Sequence, residues 1–402
     1  MQQQIVIAGS GFAGTWAALS AARAVALAGK EGEVAVIVIS PEPALHMRPR
    51  LYETTLEGMA PDLQALFDAV GVRHVAGWVE SVDAATREVE VRGVDGRRRT
   101  IVYDRFVLAT GSRVVRPALP GLAEYAFDVD QLDSARALDA HLASLAHRPE
   151  SPARNTVVVA GGGFTGIEAA TEMPARLRKV LGLDADIRVV LLEQAPEVGP
   201  DLGPVPRPLI QEALAANGVE VLTSATVTGV DPGGVTTADG RRIEASTVVW
   251  TAGVRANRLA QMIGAEHDRF GRVPADSYLR PRDVPGVFVS GDVARAVTDD
   301  VGNVAAMSCQ HALSLGRVAG HNAAAELLGL ALHPYSQPKY VTCLDLGAWG
   351  ALYTEGWDRQ VHLTGAEAKV LKQQINTQWI YPPQADREAV FAVANPDYVI
   401  VP

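Results

Sequence analysis

Two glycine-rich turns carry the most specific chemistry in this 402-residue chain: Gly9-Ser10-Gly11-Phe12-Ala13-Gly14 and Gly161-Gly162-Gly163-Phe164-Thr165-Gly166. Each follows a short apolar run, residues 4–8 or Thr156 to Ala160, and each leads into a helix-favouring stretch, Thr15 to Leu27 or the residues from Ile167 onward. In a strand–turn–helix of this kind the first glycine (Gly9, Gly161) permits the tight turn. The second (Gly11, Gly163) lets the backbone approach a pyrophosphate, and the third (Gly14, Gly166) lets helix and strand pack closely. The free N–H groups and positive dipole end of the helix then face the phosphates.

The likeness of the two copies extends beyond the turns. Val34 to Ile39 is a second apolar run ending at Ser40, 31 residues after Gly9; Ile187 to Leu192 ends at Glu193, 32 residues after Gly161. A carboxylate at that point accepts hydrogen bonds from a free ribose diol and repels a 2′-phosphate, so the second unit is expected to take NADH in preference to NADPH. The first unit departs from the pattern. Ser40 stands where an acidic residue is usual, and either Ser40 or Glu42 is a candidate for the ribose.

These motifs need elements to hold them. The predicted fold class is α/β, with two Rossmann-like dinucleotide-binding domains and a small C-terminal α+β region. The last residues, rich in aromatic side chains such as Trp349, Trp357, Trp379 and Tyr381, suggest a small sheet and then one amphipathic helix around Thr364 to Ile375. Trp379, Ile380 and Tyr381 fit a core or dimer contact better than an interfacial patch.

Composition bounds the function. A 48% hydrophobic and 20% charged chain is globular. The net charge of −10 excludes a phosphate-backbone partner such as nucleic acid. No apolar run approaches the roughly 20 residues that span a bilayer. With no signal-peptide pattern at the start, the expected location is cytoplasmic, with peripheral contact on the inner face of the membrane left open. Residues 338–402 hold five Lys or Arg against seven Asp or Glu, so no polybasic anchor is expected there. Cys309 and Cys343 are too far apart in sequence for a neighbouring dithiol pair, and no metal site is expected.

On these motifs the chain resembles the two-dinucleotide-binding-domain flavoproteins, and among them the type II NADH dehydrogenases, over about residues 4–330. Phe106-Val107-Leu108-Ala109-Thr110-Gly111-Ser112 is similar to the family's segment that closes the FAD domain. Val248 to Arg255, containing Thr251-Ala252-Gly253, resembles the crossing back, and Val287-Phe288-Val289-Ser290-Gly291-Asp292 the segment whose aspartate holds the flavin ribityl chain. The loop His46 to Glu53, with Arg48 and Pro49, looks like the stretch that runs beside the flavin. The resemblance implies FAD on residues 1–113 and 254–330, contacted by Gly9, Gly11, Gly14, Ser40, Arg48, Thr110, Gly111, Gly291 and Asp292. It implies NAD(P)H on 114–253, contacted by Gly161, Gly163, Gly166, Glu193 and Gly253. Residues 331–402 are left as an acceptor-side, dimer or membrane-surface element.

The activity so implied is hydride transfer from NADH to flavin, then electron transfer to a quinone without proton pumping. Quinone reduction needs protons. Glu168 and Glu172, four apart on the helix after the second turn, are the candidates to supply them, Glu168 first. Gln310 matches the first glutamine that the family places near the quinone, while Ser314 and Leu315 stand where a second glutamine pair would be. Cys309 reads as a small hydrophobe rather than a nucleophile. Three other readings stay open: a soluble NAD(P)H reductase of a small carrier or dye, a sulfide:quinone oxidoreductase, which the cysteines disfavour, and a non-catalytic FAD/NADH sensor.

Overall fold

The computed structural model describes residues 2–264 and 266–400. Seven strands form the larger sheet, in the order Val287–Val289, Arg105–Leu108, Gln3–Ala8, Val34–Ser40, Val72–Asp83, Glu88–Gly93 and Arg98–Val102. The first five run parallel, and the last two pair antiparallel at one edge. Ile5, Val6, Ile7 and Ala8 are all fully buried, because this central strand has apolar layers on both faces.

The smaller sheet is parallel throughout, in the order Val219–Leu222, Arg188–Leu192, Thr156–Ala160, Thr247–Trp250 and Ala126–Phe127. A separate antiparallel meander, Val227–Asp231, Gly234–Thr237 and Arg242–Glu244, packs against it. The chain passes from the first lobe to the second and back along one ribbon, in which Ser112–Val114 pairs antiparallel with Val254–Ala256.

Helix Phe12–Leu27 lies along helix Cys309–Leu328. Their contact is close: a Cβ at Gly320 would stand 1.9 Å from the Ala17 carbonyl oxygen. Beyond them the C-terminal strands Val341–Asp345, Ala351–Glu355 and Gln360–Thr364 form an antiparallel sheet, followed by helix Gly365–Gln374. That is the small sheet and helix the sequence suggested. The aromatic segment after it turns inward: Ile380 is 3% exposed, and the Tyr381 hydroxyl accepts from Arg50 at 2.7 Å and donates to the Gly58 carbonyl at 3.1 Å.

The last helix, Arg387–Val393, returns to the first lobe. Arg23 donates to the Phe391 carbonyl at 2.9 Å and Arg317 to that of Val393 at 2.6 Å. Among the described residues no helix is long and apolar enough to cross a membrane.

Candidate active site

At the first glycine turn three segments converge. Gly9 adopts φ +104°, and a Cβ there would stand 2.6 Å from the Ala109 carbonyl oxygen, so the Ala109-Thr110-Gly111 segment lies directly against the turn. A Cβ at Gly291 would stand 2.7 Å from that of Ala13, which brings Gly291 and Asp292 to the same place. A Cβ at Gly14 would lie 1.8 Å from the Gly9 carbonyl oxygen, whereas one at Gly11 meets nothing within 4 Å. The turn is thus tight towards the protein and open at the helix N-terminus, the shape a pyrophosphate requires. The Thr110 hydroxyl is buried without a hydrogen-bond partner beside it, a further polar group available to a bound dinucleotide.

Arg48 ties this region together. Its guanidinium donates to the Asp130 carboxylate and, at 3.1 Å, to the Asp130 carbonyl; it also reaches Asp292 at 3.5 Å. The Ser112 hydroxyl donates to Asp292 at 2.6 Å. Arg48, Gly111 and Asp292 therefore meet, since a Cβ at Gly111 would lie 3.7 Å from Arg48 Nη1. Ser40 is placed at the end of its strand, with its hydroxyl 2.7 Å from the Glu42 carbonyl and 2.9 Å from His74 Nε2. The Glu42 carboxylate points into solvent against His46.

The second turn repeats the first. Gly161 has φ +118°, and a Cβ there would stand 2.8 Å from the Ala252 nitrogen; one at Gly166 would lie 1.7 Å from the Gly161 carbonyl oxygen, and one at Gly163 meets nothing within 4 Å. Thr251-Ala252-Gly253 occupies the position that Ala109-Thr110-Gly111 holds in the first lobe. The Thr251 hydroxyl donates to the Gly161 carbonyl at 2.9 Å. Glu193 is buried, and its two oxygens accept the Gly162 N–H at 2.7 Å and the Ala195 N–H at 2.8 Å. The carboxylate is fixed beside the turn with lone pairs left for a ribose diol.

Helix Phe164–Leu181 carries Glu168 and Glu172 to different surroundings. The Glu172 carboxylate accepts from the Thr54 hydroxyl. Glu168 is 3% exposed and meets residues far away in sequence: its Oε1 accepts from Lys372 Nζ at 2.8 Å and from the Asp345 N–H at 3.0 Å. Lys372 also donates to the Cys343 carbonyl at 2.9 Å, and Asp345 accepts from Lys369 and, at 3.1 Å, from the Tyr52 hydroxyl. Burial raises the Glu168 carboxyl to about 7, against the opposing pull of Lys372. Sequence reasoning did not single out Lys372, Lys369, Asp345 or Tyr52. The one local signal was a lysine a turn beyond Ala368 on the inward face of an amphipathic helix.

Gln310, near the start of helix Cys309–Leu328, brings its side-chain oxygen 3.5 Å from the Val341 N–H, and Ser314 and Leu315 follow one turn later. Burial pushes the Cys309 thiol up to about 11, which keeps it protonated and suits a packing role.

Two glycine cradles, each closed by a crossing segment and set on separate parallel sheets, define an oxidoreductase that binds two dinucleotides. The chain belongs to the pyridine nucleotide-disulphide oxidoreductase family, whose model matches residues 3–316. It is 47% identical to an NADH dehydrogenase-like protein of Mycobacterium tuberculosis over 98% of both chains. It is 33% identical to a type II NADH:quinone oxidoreductase of the same organism, covering 73% of this chain and 66% of that one. Its fold is similar to that of Plasmodium falciparum NDH2 solved in complex with NADH, with a TM-score of 0.79, 14% identity, and 98% and 97% of the chains covered. The chain is accordingly an NADH oxidoreductase of this family, with FAD and NADH as its cofactors.

Proposed function

We propose that the chain oxidises NADH and reduces a quinone, in the balance NADH + H⁺ + quinone → NAD⁺ + quinol. Residues 1–113 and 254–330 hold FAD, residues 114–253 hold NADH, and residues 331–402 form the acceptor side. Flavin, when bound, supplies the two-electron chemistry. The first lobe positions it through the turn at Gly9, Gly11 and Gly14, through Thr110 and Gly111, and through Asp292 and Arg48, while Ser40 lies at the ribose end. The second lobe positions the nucleotide through Gly161, Gly163 and Gly166, with Gly253 at the crossing. Glu193 takes the ribose diol and disfavours a 2′-phosphate.

The observation that carries the quinone reading is Glu168. A buried carboxyl whose pKa burial raises, held 2.8 Å from the Lys372 ammonium, is suited to hand on a proton, and a quinone needs protons where a one-electron carrier needs none. Glu172, bonded to Thr54, shares the helix and lies one turn further along. Gln310 lies near the start of helix Cys309–Leu328. A comparison of acceptors tests this. Glu168→Gln is expected to lower turnover with a water-soluble quinone about tenfold or more, and to leave ferricyanide turnover and anaerobic bleaching of the flavin by NADH unchanged. Equal losses with both acceptors would sink the proton role. The departure at Ser314 and Leu315 favours, as a second reading, a small soluble acceptor; a wild-type enzyme that reduces ferricyanide or a dye but no quinone would establish it. A protein whose flavin NADH does not bleach would be the sensor.

A further inference from the structure

Helices Phe12–Leu27 and Cys309–Leu328 touch backbone to backbone along their small residues: a Cβ at Gly316 would stand 2.4 Å from the Ala13 carbonyl oxygen, and one at Gly320 1.9 Å from that of Ala17. Beside this seam runs a polar groove. Trp16 and Ser20, one turn apart on the first helix, border it with Arg317 of the second, whose guanidinium lies 4.1 Å from the Trp16 ring. The C-terminal segment closes it as a strap. Arg23 donates to the Phe391 carbonyl at 2.9 Å, Arg317 Nε donates to that of Val393 at 2.6 Å, and the Tyr398 ring lies 5.0 Å from the Arg317 guanidinium.

Three side-chain atoms in this groove are buried without a hydrogen-bond partner: Trp16 Nε1, Ser20 Oγ and Arg317 Nη1, on residues at most 3% exposed. Nδ1 of His321, one turn beyond Arg317, and Nδ1 of His333, whose ring lies 6.2 Å from that of His321, are also unpartnered. Native proteins rarely leave buried polar atoms so, because the desolvation cost is not recovered. Water suits the hydroxyl and the imidazoles, which both donate and accept. It leaves the charge of Arg317 unopposed.

Trp16 Nε1 and the guanidinium only donate, and among the described residues no carboxylate pairs with Arg317. The Asp397 carboxylate of the strap is 2.8 Å from His333 Nε2 instead. Burial pulls the Arg317 pKa down to about 10, which still leaves it charged at neutral pH, and the charge of Arg23 acts on His321 beside it. A buried cation with this surplus of donors calls for an anion. The seam at Gly316 and Gly320 and the strap above restrict it to a small one.

We propose that the groove binds one small monovalent anion, of chloride size, on Arg317 Nη1 and Trp16 Nε1, with the Ser20 hydroxyl turned towards it. The anion is the counter-ion of Arg317. By neutralising the guanidinium while Nε holds the Val393 carbonyl, it fastens the strap to the helix that begins at the first glycine turn. The site is separate from both nucleotide cradles and from the acceptor, and its test does not depend on which acceptor the enzyme uses.

Flavin-loaded enzyme exchanged into chloride-free HEPES, with sodium gluconate holding the ionic strength, provides the starting state, since gluconate is too bulky for a closed groove. Replacing gluconate by chloride is expected to raise the melting temperature saturably, by about 3 °C. Trp16→Phe, which keeps a ring and deletes the N–H, should raise the half-saturating chloride about tenfold, the effect of one lost hydrogen bond to a charged group. Arg317→Met should abolish the response, with NADH KM and ferricyanide turnover at wild-type values in both variants. Crystals of the unaltered enzyme soaked in sodium bromide supply a check independent of any variant: an anomalous bromide peak within hydrogen-bond reach of Arg317 Nη1 and Trp16 Nε1. A melting temperature that does not respond to chloride, a response unchanged in both variants, or a groove holding water and no bromide overturns the assignment.

Discussion

Glu193 accepts two backbone N–H groups of its own lobe, and that engagement sets what its removal does. Glu193→Ala frees the Gly162 and Ala195 N–H groups and removes the charge that opposes a 2′-phosphate. The expected result is a roughly tenfold rise in KM for NADH, about 1.4 kcal/mol, with a smaller change for NADPH, read from steady-state kinetics with each nucleotide; equal losses would refute the ribose role. Glu168 predicts a pH profile. Its carboxyl, raised by burial to about 7, holds a proton below that pH and loses it above. Quinone-linked turnover should therefore fall as pH rises through 7, ferricyanide-linked turnover should not, and Glu168→Gln should flatten the difference. The cysteine gives the opposite expectation. With its thiol held near 11, Cys309→Ala should leave activity within about twofold of wild type, as measured in the same quinone assay.

At the scale of the element, the two turns separate folding from binding. A methyl group at Gly14 would lie 1.8 Å from a carbonyl oxygen, inside the turn itself, so Gly14→Ala must displace the helix from its strand. Gly11→Ala meets nothing within 4 Å and adds its methyl only where a pyrophosphate would come. Purified Gly14→Ala is expected to melt several degrees lower. Gly11→Ala should melt as the wild-type apoprotein does but retain much less flavin, read as absorbance per mole of protein; loss of stability in both would contradict the open N-terminus. This division was legible in the sequence because a strand, a glycine turn and a helix are determined within about 30 residues of chain. Glu168 and Lys372 are 204 residues apart, and no local period says which lysine meets which carboxylate. The pairing appears only once the C-terminal helix is docked. Ser40 is an intermediate case. Its position at the strand end could be read, but its partner His74 comes from the next parallel strand, and neighbours in such a sheet are not fixed by spacing.

For the molecule as a whole, the C-terminal segment decides how the first lobe is covered. Arg317 is 1% exposed and, among the described residues, forms no ion pair with a carboxylate; it donates to the Val393 carbonyl and lies near the rings of Trp16, at 4.1 Å, and Tyr398, at 5.0 Å. Removing residues 387–402 uncovers this arginine together with Trp16, and forfeits the burial of Val390, itself about 1.5–3 kcal/mol. A clear drop in melting temperature is expected by calorimetry, with NADH still bleaching the flavin, because the segment packs on the outer helices and not on either turn. The fold class and the order of segments could be read from the sequence, since each of those segments is a continuous run. The return of the final helix could not, because its ties to the first lobe, Arg23 and Arg317 to backbone carbonyls and Arg387 to Glu31, join residues far apart in the chain that no local period pairs.

The paired strands Ser112–Val114 and Val254–Ala256 have a consequence for how such a chain could arise. Because the outgoing and incoming stretches lie side by side, the ends of the intervening polypeptide are about 5 Å apart. A gene fragment encoding that stretch could be lifted out whole and the host sealed with a short hairpin, or a foreign module with adjacent termini spliced in. The ancestral event this layout suggests is the grafting of one complete unit into another, at a seam that still accepts the scissors.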